Sequence, residues 1–221
     1  MGMKFKDSIR IFFCGMLLVS ACDDQSVKSK PKRKIEMIAI NKTQESLIKL
    51  GIQNLKDGDI VLRTGNDVIS NLFAQLNKTD KTYSHCGIAF YENHSWVVYH
   101  SIGGEDNPDE KLRREPFKNF VHPQHNLGFG ICRYILPKKQ LDTLHKIVHT
   151  FYAAQIPFDM KFDLQTDDRM YCAEFVYKSY QLGSKEKLQF TPSHIGNFTF
   201  IGVDDIFLHP LCKEQKKILY K

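Results

Sequence analysis

The sequence predicts an α+β fold, an antiparallel sheet packed with helices, and three observations lead there. Two β-rich runs in "YSHCGIAFYENHSWVVYHSIGG" flank the short polar stretch "ENHS", the signature of a hairpin. The helical stretches stand apart from the strands instead of alternating with them in βαβ order. Finally, 42% hydrophobic and 25% charged residues over 221 positions give one ordinary domain with a core, plus extensions.

The chain opens as an address. "MGMKFKDSIRIFFCGMLLVSAC" has a basic start, an apolar segment from Ile11 to Val19, and small residues before Cys22. That segment is too short to span a bilayer, and its build is that of a secretory signal peptide. The ending "LVSAC" resembles the bacterial lipobox, which implies cleavage before Cys22 and a lipid anchor on its sulfur. Residues 1–21 are therefore expected to be a lipoprotein signal peptide. Residues 22–52 are expected to be a polar tether, rich in lysine and poor in apolar groups, ending in a possible short helix.

A catalytic domain is expected over 53–205. "LKDGDIVLRTG" reads as a strand between an Asp-Gly turn and Gly65. In "NDVISNLFAQLNK" the cap Asn-Asp precedes Val68, Ile69, Leu72, Phe73 and Leu76, which share one helical face. The hairpin follows, then a strand in "LGFGICRYIL". A helix in "KKQLDTLHKIVHTFYAAQ" has its apolar face at Leu141, Leu144, Ile147, Val148 and Phe151. After the loop "IPFDMKFDLQTDD", a last helix is expected from about Arg169 to Leu182, with Gly183 beyond it. Residues 206–221 are expected to be a C-terminal tail.

The formal net charge of +6 is no argument for a nucleic-acid partner. Lys4, Lys6 and Arg10 lie in the leader, and "KSKPKRK" is a short run suited to the neighbourhood of an anionic membrane. No phosphate-binding glycine loop, internal repeat or heptad pattern is present. No cofactor and no metal site is expected, since no C-x-x-C or H-x-x-x-H pair is read as a compact half-site.

Hairpin parity brings two histidines together. With a two- or four-residue loop, Tyr91 lies opposite Trp96, Ala89 opposite Val98 and Gly87 opposite His100. His85 and His100 then share a face as diagonal neighbours, with Gly87 leaving room between them. Cys86 falls on the opposite face. Cys172 stands instead in the first turn of a helix, where the dipole and unpaired amides favour a thiolate and can hold an oxyanion. A cysteine, a histidine and a third polar group make an acyl-transfer device. Left open beside it are a buried structural role for Cys172 and disulfides among Cys86, Cys132, Cys172 and Cys212 in an exported protein.

The segments "LKDGDIVLRTG", "YSHCGIAF", "VVYHSIGG" and "FDLQTDDRMYCAEFVYKSY", in that order, resemble the permuted papain-like amidases, the YiiX-like branch of the NlpC-type superfamily. The resemblance implies a circularly permuted papain-like fold with the histidine strand first and the nucleophile helix last. It implies Cys172 as nucleophile, His85 as general base and His100 at the third polar position. Relatives in this branch often carry a glutamate at that position, whereas lecithin retinol acyltransferase-like relatives use histidine. Tyr171 and Gly87 are candidates for the substrate cleft, and Glu174, pointing about 200° from Cys172 around the helix, is expected to be structural.

The function expected from this reading is a membrane-anchored thiol hydrolase, an amidase or peptidase acting on peptide or peptidoglycan in the bacterial cell envelope. Two alternatives stay open: an acyltransferase or lipase on membrane lipid, and a non-catalytic envelope lipoprotein that binds without turnover.

Overall fold

In the computed structural model, residues 41–104 and 107–220 are described. The signal peptide, Cys22 and most of the expected tether lie outside them. A six-stranded sheet forms the centre, in the order β4-β3-β2-β1-β5-β8, and every neighbouring pair is antiparallel. Its strands are β1 (Asp59–Gly65), β2 (His85–Glu92), β3 (Ser95–His100), β4 (Arg113–Pro116), β5 (Asn126–Tyr134) and β8 (Cys212–Leu219). A small hairpin, β6 (Ser193–Ile195) with β7 (Phe198–Phe200), stands apart from it.

Alternation along the strands divides the core into two layers. Ile60 and Leu62 of β1, Cys86, Ile88 and Phe90 of β2, and Val97 and Tyr99 of β3 pack with α4 (Lys138–Ala153) and α5 (Cys172–Gly183). Val61, Ala89, Val98, Phe129 and Ile131 face the other way, onto α1 (Lys42–Asn54) and α3 (Phe117–Phe120). Burial on both faces explains why β1 and β2 read as nearly continuous apolar runs. The hairpin turn is Asn93-His94, both at positive φ (48° and 64°), the two-residue geometry that suits the strand twist. This gives the register Ala89↔Val98 and Tyr91↔Trp96.

Two expectations need correction. The expected tail is instead structured: residues 206–220 complete α6 (Val203–Phe207) and supply β8, whose Cys212 and Ile218 are buried against β5. The body also begins before 53, because α1 is capped by the Asn41 side chain on the Gln44 amide (2.8 Å) and buries Ile48 and Gly51 against the sheet. In α2 (Val68–Leu76) the apolar face meets the core only at its end, through Leu76. Val68 is 76% exposed, Ile69 and Leu72 are also exposed, and only Ala74 is buried. Among the described residues no helix is long and apolar enough to cross a membrane.

Candidate active site

His85 opens β2 and Cys172 opens α5, so both stand where a cleft of about 480 Å³ enters the molecule, and both line it. The cleft has an apolar side of Ile69, Phe73, Phe158 and Phe162. Its polar side carries Arg63, Arg113 and Glu115.

The hairpin register makes the histidine pair. His85 Nε2 lies 2.9 Å from His100 Nδ1, with the rings edge to face at 5.0 Å. Gly87 is the spacer: a Cβ there would meet the Tyr99 carbonyl oxygen at 2.7 Å and His100 Cβ at 2.9 Å. Phe120 of α3 lies beneath both rings, with centroids 5.6 Å from His85 and 5.0 Å from His100.

A carboxylate extends the pair into a relay. Glu115 on β4 places Oε1 2.7 Å from His100 Nε2. Burial alone would raise its carboxyl pKa, but the hydrogen bond and charge of His100, then Arg63 and Arg113, hold it below the ordinary value. An ionised Glu115 beside His100 Nε2 favours the proton on that nitrogen and so leaves His100 Nδ1 as a bare acceptor. His85 then donates from Nε2, and its Nδ1 carries the free lone pair. Burial, followed by Arg63, His100 and Arg113, pushes the His85 pKa well below its usual value, which keeps it a neutral base.

Cys172, the expected nucleophile, is held separately. Cys172 is half-buried, and its pKa is lowered first by the Cys86 thiol hydrogen bond. The amides of Cys86 and Ala173 and the charge of Arg63 lower it further, against burial. Cys86, on the α5 side of β2, has its own pKa pushed well up by burial, so it remains a thiol and a donor. The hydroxyl of Ser101, after β3, donates to the Met170 carbonyl at 2.5 Å and pins the start of α5 to the hairpin.

Cys172, His85 and His100 thus converge on one end of the sheet, but the cleft candidates do not. Tyr171 is buried, with its hydroxyl accepting the Ile201 amide at 2.8 Å, and reaches only a side pocket of about 30 Å³ beside Cys172. Gly87 lies under the histidines and off the cleft wall. Glu174 accepts the Tyr171 amide (3.2 Å) and pairs with Lys178 at 2.9 Å.

Glu115 and Cys86 were missed as partners of the site. Glu115 had no periodic signal in "RREP", whereas Cys86 becomes a candidate once α5 is laid against its face of the hairpin. Also missed was a spacing in α4: His145 and His149 form an H-x-x-x-H pair at a place where no metal site was expected.

Alkylation offers a direct check of the thiol. Iodoacetamide is expected to label Cys172 ahead of Cys86, Cys132 and Cys212, all three buried. Half-maximal rate should fall below the ordinary thiol pKa of about 8.5. Peptide mapping across a pH series measures this; labelling of Cys172 no faster than Cys132 would count against an activated thiolate.

A family model described as permuted papain-like amidase enzyme, YaeF/YiiX, C92 family, matches residues 54–197. Among solved structures, the crystal structure of the metalloprotein YiiX from Escherichia coli O157:H7 is similar, with a TM-score of 0.62 and 19% identity. The match covers 76% of this chain and 99% of that one, a likeness of fold. No curated protein matches the chain.

Proposed function

The chain belongs to the permuted papain-like amidases, and from that premise we propose a thiol hydrolase of the bacterial cell envelope, lipid-anchored through Cys22, that cleaves amide-linked envelope material. The observation that carries the chemistry is the relay Glu115–His100–His85, which ends at the cleft onto which Cys172 opens.

In the first step His85 Nδ1 takes the Cys172 proton and the sulfur attacks the amide carbonyl carbon. The negative oxygen so formed is met by the Cys172 main-chain N–H, which has no intrahelical acceptor in the first turn of α5. The C–N bond then breaks, the amine leaves with the proton from His85, and a thioester remains on Cys172. Water, deprotonated by the same nitrogen, releases the acid and regenerates the thiol. Through the relay, Glu115 stabilises the positive charge that appears on His85 while it holds the proton.

A second reading, acyl transfer to or from membrane lipid, is favoured by the exposed apolar residues of α2, of which Ile69 also lines the cleft. Acyl-enzyme trapping separates the two. The full chain is incubated with peptidoglycan fragments and, separately, with phospholipid vesicles, then quenched in acid for mass spectrometry of the Cys172 peptide. A peptidyl adduct supports the amidase, a fatty acyl adduct supports the lipid reading, and no adduct with either leaves the binding-lipoprotein alternative.

A further inference from the structure

A second cluster of chemically active side chains lies at the other end of β2. Glu92 is seven residues from His85, roughly 23 Å along an extended strand. His145 and His149 stand one turn apart on α4 and reach the same point. Glu92 Oε1 is 2.9 Å from His145 Nε2 and 2.9 Å from His149 Nε2, and the two nitrogens are 3.1 Å apart.

Hydrogen bonds alone satisfy this triangle poorly. If each histidine donates its Nε2 proton to Glu92 Oε1, the two hydrogens crowd each other on one oxygen, because the nitrogens are only 3.1 Å apart. If one proton lies between the histidines, one contact to Glu92 sets a lone pair against a lone pair. A cation removes the conflict, because three lone pairs can then point to one centre. An ion about 2.1 Å from each atom would sit roughly 1.2 Å above their plane. Spreading the atoms by a few tenths of an ångström gives three corners of a tetrahedron.

The surroundings suit such a site. Arg114 takes the other carboxylate oxygen, Oε2, with Nε at 2.9 Å and Nη2 at 2.7 Å. Its positive charge opposes a cation, but the two bonds fix the carboxylate so that Oε1 points at the histidines. The Tyr99 hydroxyl, 3.0 Å from each carboxylate oxygen and 3.2 Å from His149 Nε2, adds an outer hydrogen-bonding partner. His145 and His149 are 39% and 48% exposed, so an ion can enter and water can complete its shell.

We propose that Glu92, His145 and His149 bind a borderline-soft divalent cation of the first transition row, with zinc the best fit to two imidazoles and one carboxylate. The ion ties the β2–β3 hairpin to α4, well away from the cleft and outside the hydrolytic steps.

The test uses the full chain, stripped with a chelator and titrated with cobalt(II) and then zinc. One equivalent should bind, with the visible absorption of low-symmetry cobalt, and zinc should raise the thermal midpoint as its concentration rises. Both effects should survive Cys172→Ala. His149→Gln, checked by circular dichroism to be folded, should weaken binding by about 100-fold or more, beyond the 10–100-fold typical of losing an outer partner. His145→Gln gives a second route to the same loss. Affinity equal to the parent's in both histidine variants, no binding by the parent chain, or cobalt absorption that disappears on Cys172→Ala would each overturn the assignment.

Discussion

Cys172→Ala should lose turnover by about 10⁴-fold or more while keeping its fold, since removing a nucleophile leaves only binding and oxyanion contributions. The fold should survive because the anchors of α5 lie elsewhere: Ala173, Phe175, Val176 and Tyr180 are buried, and Tyr171 holds the Ile201 amide. Initial rates on an amide substrate, read beside the circular dichroism of both proteins, measure the effect. Undiminished hydrolysis in a folded Cys172→Ala protein would remove the thiol from the mechanism and the proposed function with it.

The second large effect is expected at Glu115, a positioning residue that touches no reacting atom. Glu115→Gln keeps the shape but loses the charge, and its amide can turn an N–H toward His100 Nε2, favouring the wrong tautomer along the relay. A fall in kcat of about 10²- to 10⁴-fold follows, with KM little changed. The pH profile separates this from a merely structural defect. Glu115 raises the pKa of His100 against the lowering effect of burial. Without it, protonation of the relay becomes harder, so the acid limb of the rate profile should move to lower pH as the maximum drops. A drop in rate with an unmoved acid limb would mean that Glu115 acts only through packing.

Much of this site could be read before the structure, and the reasons are local. The two-residue turn fixes the hairpin register, and register fixes which side chains share a face, so His85 and His100 were paired from spacing alone. The α5 helix was legible from its apolar residues, although it opens at Cys172, three residues after the expected Arg169. The failures gather at the two edges of the sheet. Strands β4, "RREP", and β8, "CKEQKKIL", are its outermost members. Edge strands carry charge that discourages pairing with other chains, so β4 gave no strand signal and β8 read as a tail. Glu115 was hidden with β4. The apolar stripe of α2 shows the limit of periodicity: it reveals that a face exists, and here most of that face turns to the cleft and to solvent.

The permuted chain order also separates the site into two parts that assemble differently. His85, His100 and Glu115 lie within a short meander of three adjacent strands, where each pairing closes only a small loop. Cys172 reaches them from far along the chain through the docking of α5 on β2, a contact of high sequence separation that forms at greater entropic cost. In the proposed mechanism, proton handling is therefore a local property of the sheet, while nucleophilicity belongs to long-range tertiary assembly. Catalytic output then serves as a gauge of helix docking: a partial opening that frees α5 would silence the enzyme while the histidine pair still stood intact.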